Sequence, residues 1–253
     1  MVGALSQVWG LINGLQLFVH LPLVGIGLPD HVLVVLSKLI TVAQFDILEN
    51  EDVYGSFIQF PKENEAILRE NFVETGYESN FAIVNMGTNV IIFTFLIFFM
   101  TLLLILLPLK NKQNCAGKAH RKCSGTIFWN FLLRLFIEGC LEIIIAAGLY
   151  LGQRTLLLEE SGEFEKFTVF YVLNDVMSIF LLVVFVFLPS FITIFYCIRF
   201  KKLSDESFEA KWGSPYEGLR TNDRSILFFP VFFLARRYAF TVMAFWMEDY
   251  GCL

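Results

Sequence analysis

The sequence predicts an all-α protein, specifically a polytopic transmembrane helical bundle of about five to six helical elements. The first observation is the stretch VIIFTFLIFFMTLLLILLPL at 90–109, which carries no charge and matches the roughly 20 apolar residues needed to cross a bilayer core. The second is composition, because 56% of the 253 residues are hydrophobic and 29 are Phe. A soluble domain of this length needs more polar residues to cover its surface.

Residues 1–48 are predicted to form a helical hairpin, in the membrane or at its interface. Leu5–Leu23 is apolar but contains four polar side chains, namely Gln7, Asn13, Gln16 and His20. A Gly/Pro turn follows, and Asp30 is placed to cap the second helix. We expect His20 and His31, each isolated in the sequence, to be packing or capping residues rather than ligands.

Three spans are predicted within 81–200, at 81–109, 126–151 and 167–198. The preceding segment, 49–80, reads as an acidic extracellular loop, since it holds eight acidic residues against two basic ones. Residues 201–225 are predicted as a cytoplasmic connector. Residues 226–253 are predicted as an interfacial helix, followed after Arg236–Arg237 by an incomplete terminal helix too short to cross.

The predicted orientation rests on basic residues, which concentrate in cytoplasmic loops. The loop 110–125 carries five of them and no acid, namely Lys110, Lys112, Lys118, Arg121 and Lys122. Placing this loop and the Arg199–Lys202 cluster in the cytoplasm puts the acidic loop and the N-terminal side outside, extracellular or lumenal. The expected location is the plasma membrane, with the lipid bilayer as the first partner.

Several segments carry a family resemblance. They are WGLINGLQLFVHLPL, FDIL with EDVYG, FWNFLLRLFIEGCLEIIIA and KWGSPYEGLRTNDRSILFFPVFFLARRYAF. Together they resemble the membrane region of ciliate proteins in which cysteine-rich extracellular repeats precede TRP-like spans. The most specific block is Tyr216–Arg237. The resemblance implies a multi-span module whose N-terminal side faces outward. The cysteine-rich region and the later spans of that family are missing, so the chain is expected to be a fragment or a shortened member.

The sharpest candidate site is a polar stripe in the span 126–151. Its members recur every four residues, at Asn130, Arg134, Glu138 and Glu142, so each step turns about 40° around a helix. Charge within a membrane normally faces protein or water and marks a pathway, a relay or a packing contact. Three interpretations stay open. The stripe is a buried ion pair that fixes how the helices pack, or part of an ion- or proton-coupled pathway, or it belongs to a helix that inserts poorly or lies at the interface.

Asp175 is a further candidate for this stripe. Asn174 and Asp175 are predicted to lie at a depth similar to that of Glu142, where two carboxylates could bind a cation or share a proton. The alternative is that Asp175 rests at the lipid headgroups. Within the stripe, Arg134 can pair with Glu138 one turn away, which leaves Glu142 formally unpaired. Lys38, Asp46 or Asp175 could complete a network.

The remaining patterns favour binding over catalysis. Cys115, His120 and Cys123 lack a fourth ligand nearby, so no zinc site is predicted. The two cysteines are candidates for palmitoylation, and the basic loop for contact with anionic lipid. No nucleophile–base pair stands out, so no enzyme activity is predicted. Neither a cofactor nor nucleic acid is expected as a partner. The predicted function is a non-catalytic anchor or receptor-like membrane module. The alternative is an ion channel or ion-coupled transporter, and other membrane helices or a larger extracellular region are expected partners.

Overall fold

The computed structural model describes residues 2–43, 53–55, 70–77, 79–108, 117, 120, 132–160, 168–205, 208–209, 212–216, 225 and 228–246. Eight α-helices lie in these ranges, at α1 Val2–Val19, α2 Asp30–Ala43, α3 Glu70–Thr75, α4 Ala82–Asn85, α5 Thr88–Ile105, α6 Leu132–Glu160, α7 Thr168–Arg199 and α8 Phe229–Trp246. The same ranges contain no strand, so the predicted all-α class is confirmed.

The chain divides into two compact units. The first comprises Met1–Ile91, Gly139–Val186 and Arg236–Leu253, and the second comprises Ile92–Glu138 and Phe187–Ala235. The first unit has a core to which five helices contribute, α1, α2, α3, α6 and α8. Its most buried members include Leu36, Phe72, Leu141 and Ala244.

The first two helices pack against each other across a short connection. A 3₁₀ turn at Leu21–Val24 follows α1 and ends at Gly25, whose φ of 73° is left-handed, a conformation that glycine adopts at no steric cost. The side-chain amide of Asn71 donates to the carbonyl of Leu23 at 3.3 Å and ties this turn to α3. Asp30 lies in the first turn of α2, where negative charge complements the helix dipole.

Helix α5 is long and apolar enough to cross a membrane, yet only 28% of its eighteen residues are buried. Leu96 and Leu103, seven residues apart, are buried, while Phe95, Phe98 and Ile105 are exposed. A helix that is apolar all round is normally buried in a core or in a membrane. The stretch at 90–109 is therefore a candidate membrane span up to Ile105.

Helix α7 belongs to the second candidate span, Val169–Lys202. Apart from Phe170, its buried side chains recur at steps of three and four residues, namely Tyr171, Asn174, Ser178, Leu181, Phe185, Leu188, Ile192 and Tyr196. This spacing forms one continuous stripe along a helix. The opposite face is apolar but exposed, for example at Phe180 and Phe187. The helix continues through Pro189.

The second unit contains a cluster of aromatic rings around the C-terminal end of α7. Phe195 lies 4.7 Å from Trp212 and 6.1 Å from Phe208 between ring centroids. The hydroxyl of Tyr196 donates to the carbonyl of Trp212 at 2.7 Å. Burial raises the pKa of Tyr216 to about 12, with the charge of Glu209 adding to the effect. These contacts hold the described part of the connector against α7.

Several helices differ from the sequence-based expectation. Helix α3, at Glu70–Thr75, lies within the segment 49–80 that was predicted as a loop. The predicted break at Arg236–Arg237 is absent, because α8 is one helix from Phe229 to Trp246. Pro230 is tolerated because it lies in the first turn, where the missing N–H has no intrahelical partner. Helix α6 extends nine residues past the predicted end at Leu151, to Glu160, and it is not among the two candidate spans.

Candidate functional site

Polar side chains meet inside the first unit and form what we call the buried polar cluster. Its members are Asn13, Gln16, His20, Tyr77, Glu142 and Arg237. Five of the six are buried, and Asn13 is half-buried. A polar group buried in this way is costly unless it is hydrogen-bonded, and a charge is costlier still. The cluster therefore depends on its internal contacts.

His20 follows the last residue of α1 and is fully buried. Its Nδ1 lies 2.6 Å from the carbonyl oxygen of Gln16, one helical turn earlier. Its Nε2 lies 2.9 Å from the hydroxyl oxygen of Tyr77 and 3.4 Å from Oε2 of Glu142. Both ring nitrogens therefore have polar neighbours. The expectation that His20 is a packing or capping residue agrees with its full burial and with its contact to Gln16 in the last turn of α1, whereas its two neighbours at Nε2 were not predicted.

Tyr77 reaches His20 because of the way α3 ends. Gly76 has a φ of +108°, and the N–H groups of Gly76 and Tyr77 both donate to the carbonyl of Phe72, at 3.1 and 3.0 Å. A left-handed glycine with a six-to-one hydrogen bond is the Schellman motif that terminates helices. The Tyr77 ring packs edge-on against Phe72 at 5.4 Å, and this packing directs its hydroxyl toward His20.

Glu142 lies in the middle of α6 and is almost fully buried. Its Oε2 contacts His20, and its Oε1 accepts no hydrogen bond among the described residues. We predicted that Glu142 is unpaired, or that Lys38, Asp46 or Asp175 is its partner. This prediction was wrong, because the partner is His20. Lys38 is exposed on α2, and Asp46 lies outside the described residues.

Arg237 is fully buried on α8. Its guanidinium donates to Oδ1 of Asn13 and, at 2.9 Å, to Oε1 of Gln16. The side-chain amide of Gln16 in turn donates to the carbonyl of Ala43 at 3.1 Å. Through Gln16 alone, three helices are joined, since Ala43 is the last residue of α2 and Arg237 belongs to α8. The neutral oxygens solvate the cation where water cannot.

Asp175 pairs with Arg154, which was not predicted as a site residue. Its carboxylate accepts two hydrogen bonds from Arg154 and one from Tyr150, the last at 2.8 Å. The bonds to Asp175 raise the pKa of the Arg154 guanidinium above its ordinary value, so the group stays charged. Asp175 therefore joins α7 to α6 through Arg154 rather than joining Glu142.

Asn174 also has a structural role. Its Oδ1 accepts a 3.0 Å hydrogen bond from the N–H of Ile83, in the first turn of α4, and its amide donates to the carbonyl of Phe170 at 3.0 Å. Both ends of the amide are thus used by backbone groups.

The other predicted site residues have separate outcomes. Arg134 and Glu138 are half-buried on α6. Asn130 lies outside the described residues, and so do the five basic residues of the loop 110–125 and both candidate palmitoylation sites, Cys115 and Cys123. His120 is described, and its Nε2 lies 2.9 Å from the carbonyl of Leu103 in the last turn of α5. The described residues contain no group of three or more potential metal ligands.

Comparison with protein-family models finds no match, and neither curated proteins nor solved structures provide one.

Five members of the cluster were not predicted as site residues from the sequence, namely Asn13, Gln16, His20, Tyr77 and Arg237. One signal was available, because Asn13, Gln16 and His20 are spaced by three and four residues within an apolar helix. That spacing places polar side chains on one helical face. Tyr77 and Arg237 had no comparable signal, since their contacts with His20 and Gln16 span 57 and 221 residues of sequence.

Proposed function

We propose that this chain is an integral, multi-pass membrane protein in which α5 and α7 cross the bilayer. The observation that carries the proposal is the exposure of large apolar side chains along both helices, with Phe98 67% exposed. Water in contact with so much apolar surface is unfavourable, at about 25 cal/mol per Å², whereas acyl chains are not. Monomeric soluble proteins seldom expose contiguous patches of this kind.

The orientation proposed from the basic residues places the loop 110–125 in the cytoplasm and the N-terminal side outside, at the plasma membrane. Arg199, Lys201 and Lys202 follow the apolar stretch of α7 and are exposed, which fits a cytoplasmic end. Trp212 and Phe208 pack beside this end, and aromatic side chains are enriched at the membrane–water interface.

We further propose that the chain is a non-catalytic membrane module, an anchor or receptor-like part of a TRP-like, cysteine-rich surface protein. The family resemblance of the sequence supports this assignment. The internal pairing of polar groups supports it as well, because Arg237 with Gln16 and Arg154 with Asp175 each join two helices. Such contacts fix how helices pack, which is the main requirement for an anchor.

The membrane proposal is tested by placing one charge on an exposed apolar position. In a soluble protein, Phe98→Arg is close to neutral because the side chain already faces water. In a bilayer it costs about 2.5–3.5 kcal/mol near the helix centre. We therefore expect the variant to lose a large part of its carbonate-resistant, membrane-integrated fraction in cells.

The matched control is Val73→Arg on α3, since Val73 is 55% exposed but lies outside both candidate spans. This control should integrate as the unmodified chain does. Equal integration of all three proteins, or an unmodified chain that carbonate extracts completely, would contradict the proposal.

The second candidate function is an ion-coupled transporter or channel. One observation favours it, namely that the carboxylate of Glu142 is buried and contacts His20 at 3.4 Å. Intramembrane acids beside histidines are typical of proton and ion pathways. Ion or proton flux into proteoliposomes should then be measurable for the full chain and reduced in Glu142→Gln. Absence of flux in the unmodified protein would exclude this candidate.

A further inference from the structure

The proton on one nitrogen of His20 is fixed by its partner. Nδ1 lies 2.6 Å from the carbonyl oxygen of Gln16, and a carbonyl oxygen can only accept a hydrogen bond. Nδ1 must therefore carry a hydrogen in every charge state of the ring. Any change in protonation takes place at Nε2.

Nε2 faces two oxygens, the hydroxyl of Tyr77 at 2.9 Å and Oε2 of Glu142 at 3.4 Å. If neither Nε2 nor Oε2 held a proton, a nitrogen lone pair would face an ionised oxygen with no water between them. His20 is also the only described partner of this carboxylate that makes an ion-pair contact. A buried carboxylate with no donor is strongly unfavourable.

We propose that His20 and Glu142 form a buried proton-binding site that holds one proton between Nε2 and the carboxylate. The pair is then either imidazolium with carboxylate or imidazole with carboxylic acid, and it has no net charge in either arrangement. This inference does not depend on the membrane proposal, because the contacts that carry it lie within the first unit.

Other charged groups around the site make release of that proton feasible. Arg237, on α8, acts electrostatically on His20, and a positive charge near the ring favours loss of its proton. Tyr77 accommodates both states, since a hydroxyl can accept from a protonated Nε2 and donate to an unprotonated one. From α2, the titratable side chains Asp30, His31 and Lys38 are exposed.

The proton can be located by nitrogen NMR on the full chain labelled at histidine. The chain has three histidines, and His31→Gln and His120→Asn assign the other two. Free imidazole loses its proton near pH 6.5, so spectra are recorded at about pH 8. We expect Nδ1 of His20 to be protonated, with the shared proton found either on Nε2 or as a protonated carboxyl in the infrared spectrum.

Glu142→Gln should remove the shared proton, leaving His20 with hydrogen on Nδ1 alone at the same pH. Tyr77→Phe is the matched control, because it deletes the neighbouring hydroxyl and keeps the acid, so the proton should remain. An unprotonated Nε2 in the unmodified chain, without a protonated carboxyl, would overturn the proposal. This measurement uses the unmodified chain, so it does not depend on whether a variant folds.

Discussion

The hydroxyl of Tyr238 on α8 donates a hydrogen bond to the carbonyl oxygen of Phe185 on α7. Phe185 lies four residues before Pro189, so the N–H that would donate to its carbonyl in a regular α-helix is missing. A tyrosine from a neighbouring helix thus supplies the donor. Membrane helices tolerate proline where a neighbour restores such a bond.

This relationship predicts a specific coupling between Tyr238 and Pro189. Tyr238→Phe should lower the free energy of unfolding in detergent by about 0.5–1.5 kcal/mol, or more where the carbonyl stays unsatisfied. In a Pro189→Ala background the restored N–H can serve Phe185, so Tyr238→Phe should cost much less there. An equal cost in both backgrounds, measured in a double-mutant cycle, would show that the two residues are not coupled in this way.

Gly148 allows α6 and α8 to approach closely. A Cβ at this position would lie 3.0–3.1 Å from ring atoms of Phe245, whereas a Cβ at Gly152, on the same helix, would meet nothing within 4 Å. Glycine to alanine in a helix gains about 0.5–1 kcal/mol from propensity. We expect Gly152→Ala to raise the thermal unfolding midpoint and Gly148→Ala to lose that gain. A rise of equal size in both variants would disprove close packing at Gly148.

Gly76 determines where Tyr77 is placed. Its φ of +108° is unfavourable for other residues, and a Cβ there would lie 3.2 Å from Ile40 Cγ2 and 3.3 Å from the carbonyl of Ser37. Gly76→Ala should therefore destabilise the protein by about 1–2 kcal/mol. The control is Gly27→Ala, where a Cβ meets nothing within 4 Å, and calorimetry should show little change. A tolerated Gly76→Ala would argue against the Schellman ending of α3.

Gln16 connects three helices through one side chain. Gln16→Leu removes an acceptor from the buried guanidinium of Arg237 and the donor to the carbonyl of Ala43. Each buried group left without a partner costs about 1–3 kcal/mol, with more for a charge. We expect a loss of at least about 2 kcal/mol, partly restored by Gln16→Glu, which keeps an acceptor for Arg237.

Leu11→Ala is the control for Gln16, because Leu11 lies on the same helix and is 74% exposed. Thermal unfolding of the three variants would separate the two effects. A loss in Gln16→Leu no larger than that in Leu11→Ala would mean that Arg237 does not depend on Gln16.

The all-α class followed directly from the sequence, because the helices contain long apolar runs that a local pattern reveals. The stretch at 90–109 and the run preceding Arg199 each correspond to a helix that meets the length and composition of a membrane span. The ends of helices were less predictable. Pro230 and the Arg236–Arg237 pair suggested a break, but burial of Arg237 against Asn13 and Gln16 allows α8 to continue through it.

The candidate site was predictable only in part. Glu142 was singled out as a buried acid in an apolar helix, which is a local signal. Its partner was not, since His20 lies more than a hundred residues earlier and no periodicity relates the two. Asp175 was likewise recognised, but its pairing with Arg154 depends on how α6 and α7 pack. Tertiary contacts, unlike helical faces, leave no pattern in one sequence.

The central claim, that α5 and α7 cross a bilayer, is tested most directly by spin-label accessibility. Nitroxides are placed at Phe98, Phe180 and Val73, one at a time, in a chain whose five cysteines are replaced by alanine and which is reconstituted in liposomes. Labels at Phe98 and Phe180 should collide often with oxygen and rarely with a water-soluble nickel chelate, while the label at Val73 favours the chelate. Chelate accessibility at Phe98 and Phe180 equal to that at Val73 would contradict the claim.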